Sequence, residues 1–183
     1  VAYREYDPAE HVPPKPWATV GKPPTRERNI ITSLQLESED MEKVNLELQE
    51  KFRRIVANEV RFETTMTEDA DVLLVAYGLG ARIAQKAVQL ARAEGIRAGL
   101  LRPITLWPYP YDAVRSLAEQ VRAILVVEMN AGQMVVDVRL GVEGKIPVSF
   151  YGRMGGIIPA PEEVLRELKQ VIGKETTNQV EAT

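Results

Sequence analysis

Glu128 closes the apolar run Ala-Ile-Leu-Val-Val-Glu at 123–128, Arg153 lies in the glycine-rich stretch 152–158, and Gly78-Leu-Gly80 follows the apolar run 71–77. A carboxylate at the end of a buried strand is either a catalytic acid–base group or an acceptor for the N–H groups of the turn beyond it. Isolated burial would be costly, which favours the acceptor. An arginine among glycines either clamps a phosphate or carboxylate or stands in solvent. Glycine-x-glycine after a strand invites a dinucleotide fingerprint, but the third glycine falls at Ile83, and Leu101 and Arg102 occupy the place of the ribose-binding acid. What is left is a tight strand-to-helix connection whose exposed N–H groups could receive a neighbour's anion.

The remaining chemical inventory is thin. There is no cysteine, hence no disulfide, thiol nucleophile, cysteine-ligated cluster or cysteine-type zinc site. The one histidine, His11, stands in a proline-rich stretch and reads as solvated. With 23 basic and 26 acidic residues the formal charge is -3, so no strong field draws nucleic acid or an anionic membrane, and no apolar run is long enough to span a bilayer. A chain of 183 residues can bury one substantial core. Its first residue is Val1, which suggests a fragment or a processed chain.

The elements that must carry these residues follow from periodicity. Six of the twelve prolines lie in residues 1–30, so 1–37 reads as an extended arm, with Trp17 needing a surface to bury against. Residues 38–58 read as a connecting helix capped by Ser38, with Met41, Val44, Leu48, Phe52 and Ile55 forming one apolar stripe. That stripe packs on its own domain or on a partner, and it admits a homodimer.

Strands are expected at 60–66, 71–77, 97–101, 123–128 and 147–151. Helices are expected at 81–94, at 111–121, from the Asn130–Gly132 turn to about Leu140, and from Pro161 to 172, with Glu162 and Glu163 in the last helix's first turn. Residues 173–183 read as a disordered tail. Strands alternating with helices of this length imply an α/β domain over 59–172, three layers deep around a mostly parallel sheet. In such sheets ligands and partners meet the loops beyond the strands' carboxyl ends. Here those are Gly78–Gly80, Arg102–Pro110, Glu128–Gly132 and Gly152–Gly156. Arg102, Pro103, Trp107, Pro108 and Tyr109 combine stiffness with the side chains that anchor interfaces.

Taken in order, DVLLVAYG, LLRPITLWPYP, ILVVEMNAGQM and FYGRMGGIIPAPEEV resemble the C-terminal part of the alpha subunit of 2-oxoacid:ferredoxin oxidoreductases, the 2-ketoisovalerate and 2-oxoglutarate types above all. The likeness covers roughly 60–172. Its most specific elements are the Leu-Arg-Pro-x3-Trp-Pro loop and the Glu-x-Asn-x-Gly-Gln turn.

The resemblance implies a fold like the transketolase C-terminal domain: a five-stranded mixed sheet whose first strand is an antiparallel edge. Strands 72–77 and 124–128 would then be central neighbours, with the switch point between Gly78–Gly80 and Glu128–Asn130. It implies a cytoplasmic enzyme that oxidatively decarboxylates a 2-oxoacid to an acyl-CoA with thiamine diphosphate, Mg, iron–sulfur clusters and coenzyme A. Its partners would be the N-terminal domain of the alpha subunit, the beta and gamma/delta subunits and, indirectly, ferredoxin. Yet no thiamine-diphosphate motif and no cluster cysteine is present, so none of these cofactors is expected on this chain, nor is catalysis by the chain alone. The candidate residues are those of an interface and active-site wall: Gly78, Gly80, Arg102, Pro103, Trp107, Pro108, Tyr109, Glu128, Asn130, Gly132, Gln133 and Arg153. The rival reading is a free-standing α/β module for a nucleotide or anion.

Overall fold

The computed structural model describes residues 7, 12–18, 21–22, 24–30 and 32–181, with the side chains of 174–181 left aside. His11, Pro8 and Pro23 fall outside the described residues. The chain divides into two units, Val1–Glu47 and Leu48–Thr183. In the first, the described residues before Ser38 form no helix or strand. Trp17 is exposed there, with the Lys15 ammonium 5.9 Å from its ring centroid.

Helix α1, Ser38–Asn58, has the expected bounds, but Ser38 lies inside it: its first bond runs from the Met41 N–H to the Glu37 carbonyl at 3.1 Å. The second unit carries β1 (Phe62–Thr65), β2 (Val72–Ala76), α2 (Gly78–Ala93), β3 (Ala98–Pro103), α3 (Tyr111–Ala118), β4 (Ala123–Glu128), α4 (Met134–Val142), β5 (Val148–Gly152) and α5 (Pro161–Glu181). The sheet order is β1-β3-β2-β4-β5, with β1 antiparallel to β3 and every other pairing parallel. This is the expected three-layer α/β fold with an antiparallel first edge strand.

The central strands explain the continuous apolar runs. β2 is buried at all five positions and β4 at all six, because helices cover both faces of the sheet. Val72, Leu74, Ala76 and Leu125 face α2 and α5, together with Ala84, Val88, Val164 and Leu168. Leu73, Val75, Ile124 and Val126 face α3 and α4, against Val114, Met134 and Val138.

Several boundaries move from where periodicity put them. β3 runs on through Arg102 and Pro103 because β1 pairs there, Glu63 opposite Arg102 and Phe62 opposite Pro103. A proline costs little at a strand's last residue. α2 starts at Gly78, so the Gly-Leu-Gly segment is helix rather than preceding turn. α3 stops at Ala118. α5 continues to Glu181, past the expected end at 172 and into the stretch read as a disordered tail. Lys, Glu and Gln are adequate helix formers, and extending a nucleated helix costs little. Arg92, near the end of α2, reaches out to the segments beside it. It donates to the Ala98 and Met66 carbonyls, both at 2.8 Å, and pairs with Asp69 at 2.6 Å.

Gly99 marks the tightest point of this join. A Cβ there would stand 2.8 Å from the Met66 carbonyl oxygen and 3.1 Å from the Thr67 Cα, both backbone atoms. Gly99→Ala is therefore expected to lower stability by about 1–3 kcal/mol, the usual cost of overpacking. Urea unfolding at neutral pH measures it, and an unchanged midpoint would show that the Met66 segment yields freely.

Candidate functional site

Strand order places the switch point between β2 and β4: β3 lies on one side of β2, while β4 and β5 lie on the other. A polar cluster occupies it. Glu128, at the carboxyl end of β4, is 1% exposed. Its Oε1 accepts from the Val135 N–H at 2.9 Å; its Oε2 accepts from Met134 N–H at 3.0 Å, Gln133 N–H at 3.3 Å and Asn130 Nδ2 at 3.0 Å. Three of these donors are main-chain N–H groups at the start of α4, where the helix dipole also favours a negative group.

Asn130 extends the cluster. Its Oδ1 accepts from the Gly132 N–H at 2.7 Å, and its Nδ2 also reaches the Tyr77 hydroxyl at 3.2 Å, joining the end of β2 to the turn after β4. Gly152, paired with Glu128 across the sheet, closes the far side. A Cβ at Gly152 would collide with the Asn130 carbonyl and the Phe150 ring, so only glycine permits this approach. The next residue's N–H, that of Arg153, donates to the Glu128 carbonyl at 3.2 Å.

Of the residues singled out in the sequence, Glu128, Asn130, Gly132 and Gln133 meet in this cluster. Gly80 packs beside it, its missing Cβ 3.5 Å from the Val127 carbonyl, and Gly78 opens α2 at φ +56°. Arg102 points elsewhere, pairing with Glu63 on the edge strand at 2.9 Å. The side chain of Arg153 is paired with Glu163 at 3.3 Å, neither free in solvent nor reaching into the cluster. Pro103 and Tyr109 are buried, and Pro108 follows a cis peptide. Trp107 is 58% exposed, its ring edge-on to Phe52 with centroids 5.5 Å apart.

Tyr77, Glu163 and Asp137 were missed as site residues. Glu163 had a signal. Three residues beyond Ala160, it accepts the Ala160 N–H at 3.1 Å, as a capping carboxylate does, and the Tyr151 hydroxyl at 3.3 Å. The Ala160 bond, with Arg153 beside it, holds its carboxyl below the usual range. Tyr77 carried no local signal, since its partner Asn130 is 53 residues away. Nor did the Tyr111 hydroxyl, which donates to Asp137 at 2.5 Å and ties α3 to α4. That bond, aided by burial, pushes the Tyr111 phenol up to about 12. Burial first, then Asp137, raises the Tyr109 phenol too.

Around the rigid cluster the loops expose large apolar side chains: Leu79 after β2; Ile104, Leu106 and Trp107 after β3; Met154, Ile157 and Ile158 after β5. Beside the Trp107 loop, Val60, Phe62, Tyr109, Pro110 and Tyr111 line a groove of about 670 Å³. No group of three or more His, Asp or Glu converges among the described residues in a way that could hold a metal ion. Glu128, the buried carboxylate at the switch point, accepts from four protein donors. None of the described helices is long and apolar enough to cross a membrane.

Residues 70–164 match the family model described as pyruvate:ferredoxin oxidoreductase core domain II. The ketoisovalerate oxidoreductase subunit VorB of Methanothermobacter thermautotrophicus is 44% identical over 164 residues, 90% of this chain and 46% of that protein. The 2-oxoglutarate synthase subunit KorA of Methanothermobacter marburgensis is 41% identical over 102 residues, 56% of this chain and 27% of that protein. This chain thus spans about half the length of the VorB relative or less. Two solved structures share the fold. One is the 2-oxoglutarate:ferredoxin oxidoreductase from Magnetococcus marinus, with 2-oxoglutarate, coenzyme A and succinyl-CoA bound (TM-score 0.65, 24% identity, 75% of this chain and 24% of that one). The other is a split-gene transketolase in an inactive beta4 tetramer (TM-score 0.52, 21% identity, 61% of this chain and 41% of that one).

Two measurements test the cluster and its surroundings. Glu128→Ala leaves three helix N–H groups without their acceptor, at about 1–3 kcal/mol for each buried group left unpaired. Severe destabilisation is expected, with a smaller loss for Glu128→Gln, which keeps one oxygen; equal, small losses in urea unfolding would mean water replaces the carboxylate. The Tyr111 phenol lies above its ordinary value of 10.0 when folded, so its contribution is complete below pH 10 and is lost as pH climbs towards about 12. Tyr111→Phe should accordingly flatten the fall of stability across that interval, and an unchanged slope would exclude this phenol as its source.

Proposed function

This chain belongs to the pyruvate:ferredoxin oxidoreductase core domain II family, and from that premise we propose that it is the C-terminal domain of the alpha subunit of a thiamine-diphosphate-dependent 2-oxoacid:ferredoxin oxidoreductase. The likeness to ketoisovalerate oxidoreductase subunits carries this reading, because it extends well beyond the family's 70–164 core. It also favours a branched-chain 2-oxoacid as the substrate of the complete, cytoplasmic enzyme.

The described residues do not fit the enzyme's cofactors. They offer no metal cluster, the chain has no cysteine for iron–sulfur ligation, and the buried Glu128 carboxylate is engaged by Asn130 and by the first N–H groups of α4. Thiamine diphosphate, Mg, the clusters and coenzyme A therefore belong to other segments in this reading, and no chemical step is routed through this chain. Its part is mechanical. The Glu128–Asn130 cluster holds the strand ends rigid, and the apolar loops around it present Leu79, Leu106, Trp107 and Ile157 to the N-terminal part of the alpha subunit and to the neighbouring subunits. An aromatic anchor on a stiff loop suits that task, since little entropy is lost when it docks.

The purified chain, supplied with 2-ketoisovalerate, coenzyme A, thiamine diphosphate, Mg and an artificial electron acceptor, is expected to show no turnover. In the complete multi-subunit enzyme, Trp107→Ala is expected to weaken subunit assembly by at least about 2 kcal/mol, as for a buried aromatic anchor. Gel filtration and acyl-CoA formation read the two effects. Turnover by the isolated chain, or full assembly and activity of the Trp107 variant, would overturn the reading.

A further inference from the structure

Helix α1 is 21 residues long, yet none of its residues is buried. Its apolar stripe stays largely open: Met41, Leu48, Phe52 and Val56 are between 38% and 50% exposed, with Val44 and Ile55 partly covered. Phe52 leans on the Trp107 ring of the α/β domain, and Val56 and Ala57 border the groove lined by Tyr109 and Tyr111. A helix of this length gains little from propensity alone and depends on burying such a stripe.

The charges beside the stripe are sorted by position. The first half of α1 carries Glu39, Asp40, Glu42 and Glu47 against Lys43; the second carries Lys51, Arg53 and Arg54 against Glu50. At about 100° per residue, Asp40 and Lys51 flank one side of the stripe, while Glu42 and Arg53 flank the other. Asp40, Glu42, Lys51 and Arg54 take part in no ion pair among the described residues; Arg53 is held only by its neighbour Glu50, at 2.7 Å.

We propose that α1 docks on the α1 of a second copy of this chain, antiparallel, about a two-fold axis close to Leu48. A two-fold contact must be self-complementary, and this stripe is. Reversal sets Met41 against the partner's Ile55 and the acidic first half against the partner's basic second half on both flanks. The helix dipoles then oppose favourably. Parallel alignment would instead set acid against acid and base against base, which is destabilising. Met41, Leu48 and Ile55 recur every seven residues, the spacing of a two-helix seam. Asn45 also lies on the seam and is partly satisfied on its own helix, its Nδ2 donating to the Met41 carbonyl at 2.9 Å. This inference stands apart from the oxidoreductase reading, since it uses only the helix.

Sedimentation equilibrium on the 183-residue chain, from nanomolar to high-micromolar concentration, tests it. A reversible dimer is expected, weakened by salt and abolished by Leu48→Glu with the circular-dichroism spectrum unchanged. Lys51→Glu with Arg53→Glu should weaken it at least about tenfold, and adding Asp40→Lys with Glu42→Lys should restore it. Because the chain has no cysteine, orientation can be read directly. Met41→Cys and Ile55→Cys chains should cross-link when mixed and not alone. A monomer at every concentration, a dimer indifferent to Leu48→Glu, or cross-linking of each variant with itself would overturn the proposal. So would a helix that associates only with another subunit.

Discussion

A carboxylate shut away from water must be met by donors, and at the end of β4 that requirement organises everything near it. Glu128 cannot leave the protein interior without breaking the strand, so the chain beyond it turns at once and offers the first N–H groups of α4. The turn is short because Asn130 and Gly132 close it locally. It is tied sideways to β2 through Tyr77 and to β5 through Gly152 and Arg153. Three strand ends are thereby held in one rigid unit at the switch point, where α/β sheets generally meet their ligands and partners.

The same arrangement leaves this unit chemically quiet. The Glu128 carboxylate is spent on the Asn130 amide and the first N–H groups of α4, and Arg102 and Arg153, the cations best suited to grip an anion, are spent on Glu63 and Glu163. What faces outward is apolar: Leu79, Trp107, Met154, Ile157 and their neighbours. In the proposed reading, this stiff polar hub ringed by exposed apolar loops is packed against by other segments, and the domain fixes the geometry of surfaces that carry reactive groups elsewhere.

Helix α1 obeys the same economy with a different surface. Its stripe is apolar enough to need cover, and its flanking charges are arranged so that a reversed copy supplies it. The domain core does not depend on it, since the sheet is already covered on both faces by α2, α5, α3 and α4.

Much of this was legible in the residues. The unbroken apolar runs at 72–76 and 123–128 announce strands buried on both faces, and alternation with amphipathic helices leaves a parallel α/β sheet as the economical solution. Glu128 at the end of such a run already demanded local donors. The spacing of Asn130 and Gly132 supplied a turn to provide them.

Tertiary structure alone decided the long-range pairings. Tyr77 finds Asn130 across 53 residues, Arg92 finds Asp69 across 23, and Gly99 leaves room for the Met66 carbonyl where no side chain fits. Local sequence encodes periodicity and turn chemistry, which act over a few residues. Which distant group satisfies a buried donor is set by the register of the assembled sheet. For that reason the ends of β3 and α2, and the partners of Arg102 and Arg153, emerged only when the strands were laid side by side.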